Sequence, residues 1–173
     1  MNLTLRPFAG SDAAAIASWV TDEHAMRLWS ADRYKVFPLT GEDIRCSYEA
    51  ESSADDFRPF TMLDGNVPVG HVVMVRPKGR PGAVRLVYTI VDPSRRGCGL
   101  GRRLLDLAVT QAFVSEDVGR VLIGVFESNE SALRCYLSSG FVPTGERFEM
   151  NCGNAGKRPC VMLSVSRPDG RSA

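Results

Sequence analysis

The sequence has few of the residues that build metal centres and disulfide frameworks. Among its 173 residues are two histidines, His24 and His71, and five cysteines. The cysteines are odd in number and irregularly spaced, and no C-x-x-C pair occurs, so neither a disulfide framework nor a metal site is predicted. Nothing in the sequence links a cysteine to either histidine, and we interpret the cysteines as buried or incidental thiols.

Excess charge and long apolar runs are also missing. The formal net charge is +1, which gives no long-range field to attract nucleic acid or an anionic membrane. No apolar run is long enough to span a bilayer, and the first residues lack the apolar segment of a signal peptide. The expectation is a cytoplasmic protein with no nucleic-acid partner and no membrane partner. Because no repeat or low-complexity linker divides the chain, one domain is predicted over residues 1–173.

Apolar periodicity predicts an α+β fold. Strands are predicted at residues 3–6, 57–63, 67–75, 83–91, 120–126, 141–148 and 159–165. Helices are predicted at 13–19, with an N-cap at Ser11 or Asp12, and at 23–29. A third helix, through Ile44 and Tyr48, follows a Thr40/Asp43 capping box. Two more are predicted directly after Gly101, with apolar positions from Leu104 to Phe113, and at 130–138. This order predicts helices flanking a mostly antiparallel, twisted sheet of about seven strands. In the strand 83–91, alternation places Val84, Leu86, Tyr88 and Ile90 on one face and Arg85, Val87 and Thr89 on the other.

A glycine-rich loop, residues 95–101, follows that strand and opens a helix. Gly97, Gly99 and Gly101 leave backbone N–H groups at the helix start accessible to an anion, which the helix dipole also favours. Nearby cationic side chains that could pair with phosphate oxygens are Arg95, Arg96, Arg102 and Arg103. The loop lacks the Lys and Ser or Thr of a Walker A motif, and its glycines do not fit the dinucleotide-binding spacing. We therefore predict a phosphate-containing ligand of another class.

Two segments carry a resemblance to a known family. Residues 96–101, Arg-Gly-Cys-Gly-Leu-Gly, fit the pattern [Arg/Gln]-x-x-Gly-x-[Gly/Ala] within a longer match over residues 91–105. Residues 125–141 fit a second pattern of a strand followed by Asn129, Ala132, Tyr136, Gly140 and Phe141. With both motifs in the right order and at the right separation, the sequence resembles the GNAT superfamily of N-acetyltransferases from about Gly65 to Val165.

The resemblance implies an acyl-CoA N-acyltransferase fold, in which the fourth and fifth strands splay apart and acetyl-CoA is the acyl donor without a metal. It implies an amine that attacks the thioester directly in a ternary complex, and a homodimer as a candidate assembly. The cofactor-binding residues that it implies are Ile90, Val91, Arg95, Arg96, Gly97, Cys98, Gly99, Leu100, Gly101, Arg102, Asn129, Ala132 and Tyr136.

Catalytic roles are expected for two residues. Tyr136 is the candidate acid that protonates the leaving thiolate, because a phenol stays protonated at neutral pH. The predicted strands 83–91 and 120–126 carry no carboxylate. Glu127, two residues before Asn129, is therefore the nearest candidate base in the sequence. Glu49, His71 and a water relay stay open as alternatives.

The acceptor is not identified by the sequence. Residues 29–50 and 147–160 are expected to form the acceptor end, where Trp29, Tyr34, Phe37 and Tyr48 either line a pocket or pack in the core. No acidic cluster indicates a polyamine or aminoglycoside, and a small amine or a protein N-terminus both stay open. Alternatives to acetyl transfer are transfer of a longer acyl group, an acyl-CoA-binding regulatory module without turnover, and an interaction subunit whose glycine loop is only a turn.

Overall fold

The computed structural model describes residues 1–51 and 56–168, which form seven strands and five α-helices. The strands are β1 (Leu3–Pro7), β2 (Phe57–Asp64), β3 (Val67–Val75), β4 (Ala83–Val91), β5 (Arg120–Phe126), β6 (Val142–Asn151) and β7 (Lys157–Ser166). The helices are α1 (Ala13–Ser18), α2 (Glu23–Ser30), α3 (Gly41–Glu49), α4 (Leu100–Ala112) and α5 (Glu130–Ser138). In the described part of the chain, no helix has the length and apolar character needed to cross a bilayer.

All seven strands join one sheet in the order β1-β2-β3-β4-β5-β7-β6. Every neighbouring pair is antiparallel except β4 and β5, which run parallel and are connected through α4. The predicted fold class is therefore confirmed. The hairpin of β6 and β7 is longer than predicted, because most of the residues added at its tip, Glu149, Asn151, Lys157 and Arg158, are polar and leave Met150 as the one apolar position there.

Helices cover both faces of the sheet, and the contacts of alternate residues in β3 show which helices lie on each face. Val72 and Met74 pack in a cluster with the apolar side of α4, whereas Val73 packs with residues of α1 and α3. Successive residues of a strand point to opposite faces, so α4 lies on one side and α1 and α3 lie on the other. The strands that the site uses are thus held from both sides by buried apolar residues.

The predicted alternation of β4 is wrong at Tyr88 and Ile90. Val84 and Leu86 pack toward α4 as expected, but Tyr88 and Ile90 pack in the opposite cluster. Tyr88 has a φ of 50°, and the pairing with β3 shifts there, so that β4 carries one residue more than its partner. A non-glycine residue in this conformation costs about 1–3 kcal/mol, and such outliers concentrate at functional sites.

The predicted N-cap of α1 is also wrong, although the capping box of α3 is confirmed. No side chain caps α1. The carboxylate of Asp12 instead accepts hydrogen bonds from Arg6 at 2.7 and 2.8 Å, the Ala9 N–H at 2.9 Å and the Thr61 hydroxyl at 2.8 Å. These bonds close a 3₁₀ turn that precedes α1 and tie it to the sheet, so the carboxylate is not available to cap the helix.

Candidate active site

The cleft at the centre of the molecule is an opening between β4 and β5. The parallel pairing of these strands ends at Leu86 and Ile123. Beyond it, the strand segment 87–91 pairs only with β3, and Gly124–Phe126 pair only with β7. The facing backbone edges diverge around a cleft of about 950 Å³. This is the splay that the resemblance implied, and it leaves one edge of β4 free to hydrogen-bond a bound molecule.

The glycine loop lies at one end of this cleft. Gly97 and Gly99 have φ values of 79° and 75°, a left-handed conformation that side-chain-bearing residues avoid. A Cβ added at either position would meet no atom within 4 Å, so the space above both residues is open. Gly99 precedes α4 and gives it no side-chain cap. The first N–H groups of α4 therefore stay available to an anion.

Cationic side chains surround the loop. Arg95 pairs with Asp64 at 2.6 Å, and this ion pair fixes the loop against the end of β2. Arg96 and Arg102 also line the cleft, and neither has an ion-pair partner among residues 1–51 and 56–168. Their charges are thus available to phosphate oxygens, whereas the charge of Arg95 is partly neutralised.

The second motif forms the opposite wall of the cleft. The Asn129 side-chain oxygen accepts a hydrogen bond from the Ala132 N–H at 3.2 Å and so caps α5, which leaves its amide nitrogen to donate. Tyr136 lines the cleft but is otherwise buried against Phe141, and burial raises the pKa of its phenol well above the ordinary value. A Cβ on Gly101 would lie 3.0 Å from the Cys135 sulfur, so this glycine allows α4 and α5 to pack closely.

The structure brings together the predicted cofactor-binding residues, with the exception of Cys98. Every other member of that set lines the cleft. Cys98 is exposed, and the lining residues do not include it. Of the loop arginines, Arg103 is likewise absent from the lining.

The candidate bases lie away from the cleft. The carboxylate of Glu127 pairs with Arg147 at 3.2 Å, and that of Glu49 pairs with Arg45 at 2.9 Å. His71 is fully buried, and its Nε2 lies 2.8 Å from the Tyr48 hydroxyl. Burial lowers the pKa of His71 to about 3, so its ring is neutral at physiological pH. None of these side chains lines the cleft as the structure describes it.

Leu28, Arg85 and Phe126 line the cleft although no sequence pattern points to them, whereas Met150 and Cys160 lie in the segment 147–160 that was expected at the acceptor end. Trp29, one of the aromatic residues considered for a pocket, does line it, whereas Tyr34 and Tyr48 are buried in the core. Three buried polar atoms on lining residues have no hydrogen-bond partner among the described residues: Trp29 Nε1, Arg85 Nε and Thr89 Oγ1. Native proteins rarely leave such atoms unpaired, so these three atoms are available to hydrogen-bond water or a bound molecule.

Comparisons with known proteins agree with this geometry. The sequence profile of the acetyltransferase (GNAT) family matches residues 21–141. The chain belongs to this family. A mycothiol acetyltransferase of Geodermatophilus obscurus is 36% identical to this GNAT chain over 129 residues, which are 70% of the chain and 41% of the relative. The chain thus spans about two-fifths of the length of that relative.

Two further proteins resemble this GNAT chain more distantly. An aminoglycoside N(6')-acetyltransferase type 1 of Klebsiella pneumoniae is 23% identical over 83% of the chain and 76% of the relative. A spermidine N-acetyltransferase from Vibrio cholerae, solved with CoA and spermine, superposes with a TM-score of 0.77 at 20% identity and covers 95% of each chain. At this identity the solved structure shows that the fold is shared.

Proposed function

We propose that this protein transfers the acetyl group of acetyl-CoA to a primary amine by direct attack in a ternary complex. One observation carries the proposal: the left-handed glycine loop at the start of α4 and the free edge of β4 open into the same cleft. An anion cradle joined to an unpaired strand edge fits a molecule with a pyrophosphate at one end and amide groups along its arm.

The residues present fit acetyl-CoA. The N–H groups at the start of α4, with Arg96 and Arg102, would hold the pyrophosphate, where Gly97 and Gly99 leave room. The free edge of β4 would pair with the amides of the pantetheine arm, to which the side-chain amide of Asn129 would also donate from the start of α5. Solved relatives have been crystallised with coenzyme A or acetyl-CoA, which supports the same assignment here.

The chemistry requires few groups from the protein. The neutral amine attacks the thioester carbonyl, the C–N bond forms, the C–S bond breaks and coenzyme A leaves as a thiolate. A backbone N–H on the free edge of β4 would stabilise the developing oxyanion. Tyr136 would give the thiolate its proton, because burial keeps the phenol in its neutral form. The attacking nitrogen, which is cationic once the C–N bond has formed, would lose a proton to water, and water would return a proton to the Tyr136 phenolate, so that the products are a neutral amide and a free thiol.

The ammonium form of the acceptor must lose a proton before attack. No aspartate or glutamate is among the described residues that line the cleft, so we propose that water accepts this proton. Glu127 stays a prediction for the base, and it requires the ion pair with Arg147 to open. One domain over residues 1–173, a cytoplasmic location and a homodimer also stay predictions.

An acetyl transfer assay tests the proposal. We expect the purified protein, acetyl-CoA and a panel of primary amines to release free thiol together with an equal amount of acetylated amine, measured by mass spectrometry. Reactions without protein and without amine are the controls. Tight binding of acetyl-CoA without any transfer across the panel would contradict the proposal and favour a regulatory acyl-CoA-binding module.

A further inference from the structure

Arg85 places a guanidinium in the wall of the cleft at the point where β4 and β5 diverge. It lies on β4 opposite Leu122 of β5, just before the two strands diverge, and faces away from α4. Its guanidinium carbon is 5.2 Å from the centre of the Phe148 ring. A Cβ on Gly124 would lie 2.9 Å from Arg85 Nη2 and 2.9 Å from Phe148 Cζ. A glycine within β5 therefore makes room for this guanidinium at the mouth of the splay.

The charge of Arg85 has no ion-pair partner in the described part of the chain. No carboxylate within residues 1–51 and 56–168 forms an ion pair with it, and its buried Nε donates no hydrogen bond. Glu146 acts on Arg85 electrostatically, but both oxygens of its carboxylate already accept from Arg80 at 2.7 and 2.8 Å. Burial lowers the pKa of Arg85 from its ordinary value, and the neighbouring charge of Arg80 adds to this. Arginine still remains charged at neutral pH.

Among the described residues, the part of the cleft wall next to Arg85 is apolar and includes no carboxylate. Near Phe148, the wall is built by Leu28, Phe126 and Met150, and Trp29 adds an indole N–H that is buried without an acceptor. Among the described residues, every formally charged side chain that lines the cleft is an arginine: Arg85, Arg95, Arg96 and Arg102. The last three belong to the glycine loop and the first turn of α4, whereas Arg85 stands apart on β4.

We infer that the acceptor is an amine that carries a carboxylate and an apolar body, such as an apolar α-amino acid, and that Arg85 binds the carboxylate. A guanidinium presents two parallel N–H donors that match a carboxylate, and an apolar wall suits an aliphatic or aromatic side chain. Polycationic acceptors, like the spermidine named for one solved structure, would find no carboxylate among the described residues that line the cleft. The inference rests on the proposed acetyl transfer and names the substrate class of the same site.

Matched acceptors test the inference on the unmodified protein. L-leucine, L-leucinamide and 3-methylbutylamine share an amine and an aliphatic body, but only L-leucine carries a carboxylate. We expect kcat/KM for L-leucine to exceed that for each of the other two by about 10- to 100-fold, the range that a hydrogen-bonded charge pair contributes. Equal or faster acetylation of L-leucinamide or spermidine would overturn the inference and leave the proposed acetyl transfer intact.

Arg85 variants assign the preference to this residue. Arg85→Met is expected to raise KM for L-leucine by about 10- to 100-fold while KM for acetyl-CoA stays the same, and Arg85→Lys is expected to recover part of the loss. Arg76→Met is the matched control, because Arg76 pairs with Asp117 at the surface. Retained preference for L-leucine over L-leucinamide in Arg85→Met would contradict the role of Arg85.

A binding measurement separates this inference from the proposed function. Calorimetric titration of the protein saturated with coenzyme A should show tighter binding of N-acetyl-L-leucine than of N-acetyl-L-leucinamide, and Arg85→Met should remove the difference. Indistinguishable binding of the two compounds to the unmodified protein would overturn the inference. Failure of coenzyme A itself to bind would instead refute the proposed function.

Discussion

Gly99→Glu is expected to weaken acetyl-CoA binding by about 100-fold or more. Gly99 precedes α4, and a side chain added there points into the open space that we assign to the pyrophosphate. A carboxylate in that space would repel the phosphates and occupy the N–H groups that should bind them, and like charges placed together cost several kcal/mol. The dissociation constant from calorimetric titration measures this effect.

Gly79→Glu is the matched control for this variant. Gly79 has a φ of 74°, nearly that of Gly99, and a Cβ there also meets no atom within 4 Å, but the residue lies in the turn before β4 and does not line the cleft. Both variants therefore place the same side chain at a residue with nearly the same positive φ. Unchanged acetyl-CoA affinity in Gly99→Glu, or an equal loss in both variants, would refute the phosphate site.

Tyr136→Phe is expected to lower kcat by about 100-fold, near the lower end of what general acid catalysis contributes. The substitution removes only the hydroxyl, so packing against Phe141 and KM for acetyl-CoA should be preserved. Because burial raises the pKa of this phenol, it holds its proton throughout the neutral range and can give it to the leaving thiolate. Steady-state kinetics under saturating acceptor measure the change.

Tyr34→Phe controls for the loss of a buried tyrosine hydroxyl. Tyr34 is as buried as Tyr136 but stacks on Trp29 in the other core cluster and does not line the cleft. We expect its kcat to stay close to that of the unmodified protein. If Tyr136→Phe turns over as fast as the unmodified protein, Tyr136 has a packing role only.

The parts of the site that can be predicted from the sequence are those formed by short, continuous sequence motifs. The glycine loop and the Asn129 motif each occupy a short stretch of chain, and their function depends on helix termini that the same stretch forms. Secondary structure near them was predicted almost residue for residue, because buried apolar positions repeat with the period of each element.

Long-range packing explains what the sequence analysis missed. Tyr88 takes a left-handed conformation without being a glycine, so nothing in the pattern of β4 reveals that its later residues change face. Arg85 gains its role from Gly124 on β5 and Phe148 on β6, which lie far from it in sequence and belong to no motif. Asp12 was assigned to a local cap but bonds Thr61 across the fold.

The central claim is that the cleft between β4 and β5 binds acetyl-CoA. Isothermal titration of the purified protein with acetyl-CoA, with NAD and ATP titrated in parallel, tests it most directly. The geometry predicts saturable binding of acetyl-CoA and much weaker binding of NAD and ATP, because only acetyl-CoA has an amide-bearing arm for the free edge of β4. Absence of acetyl-CoA binding, or equal binding of all three compounds, would contradict the claim.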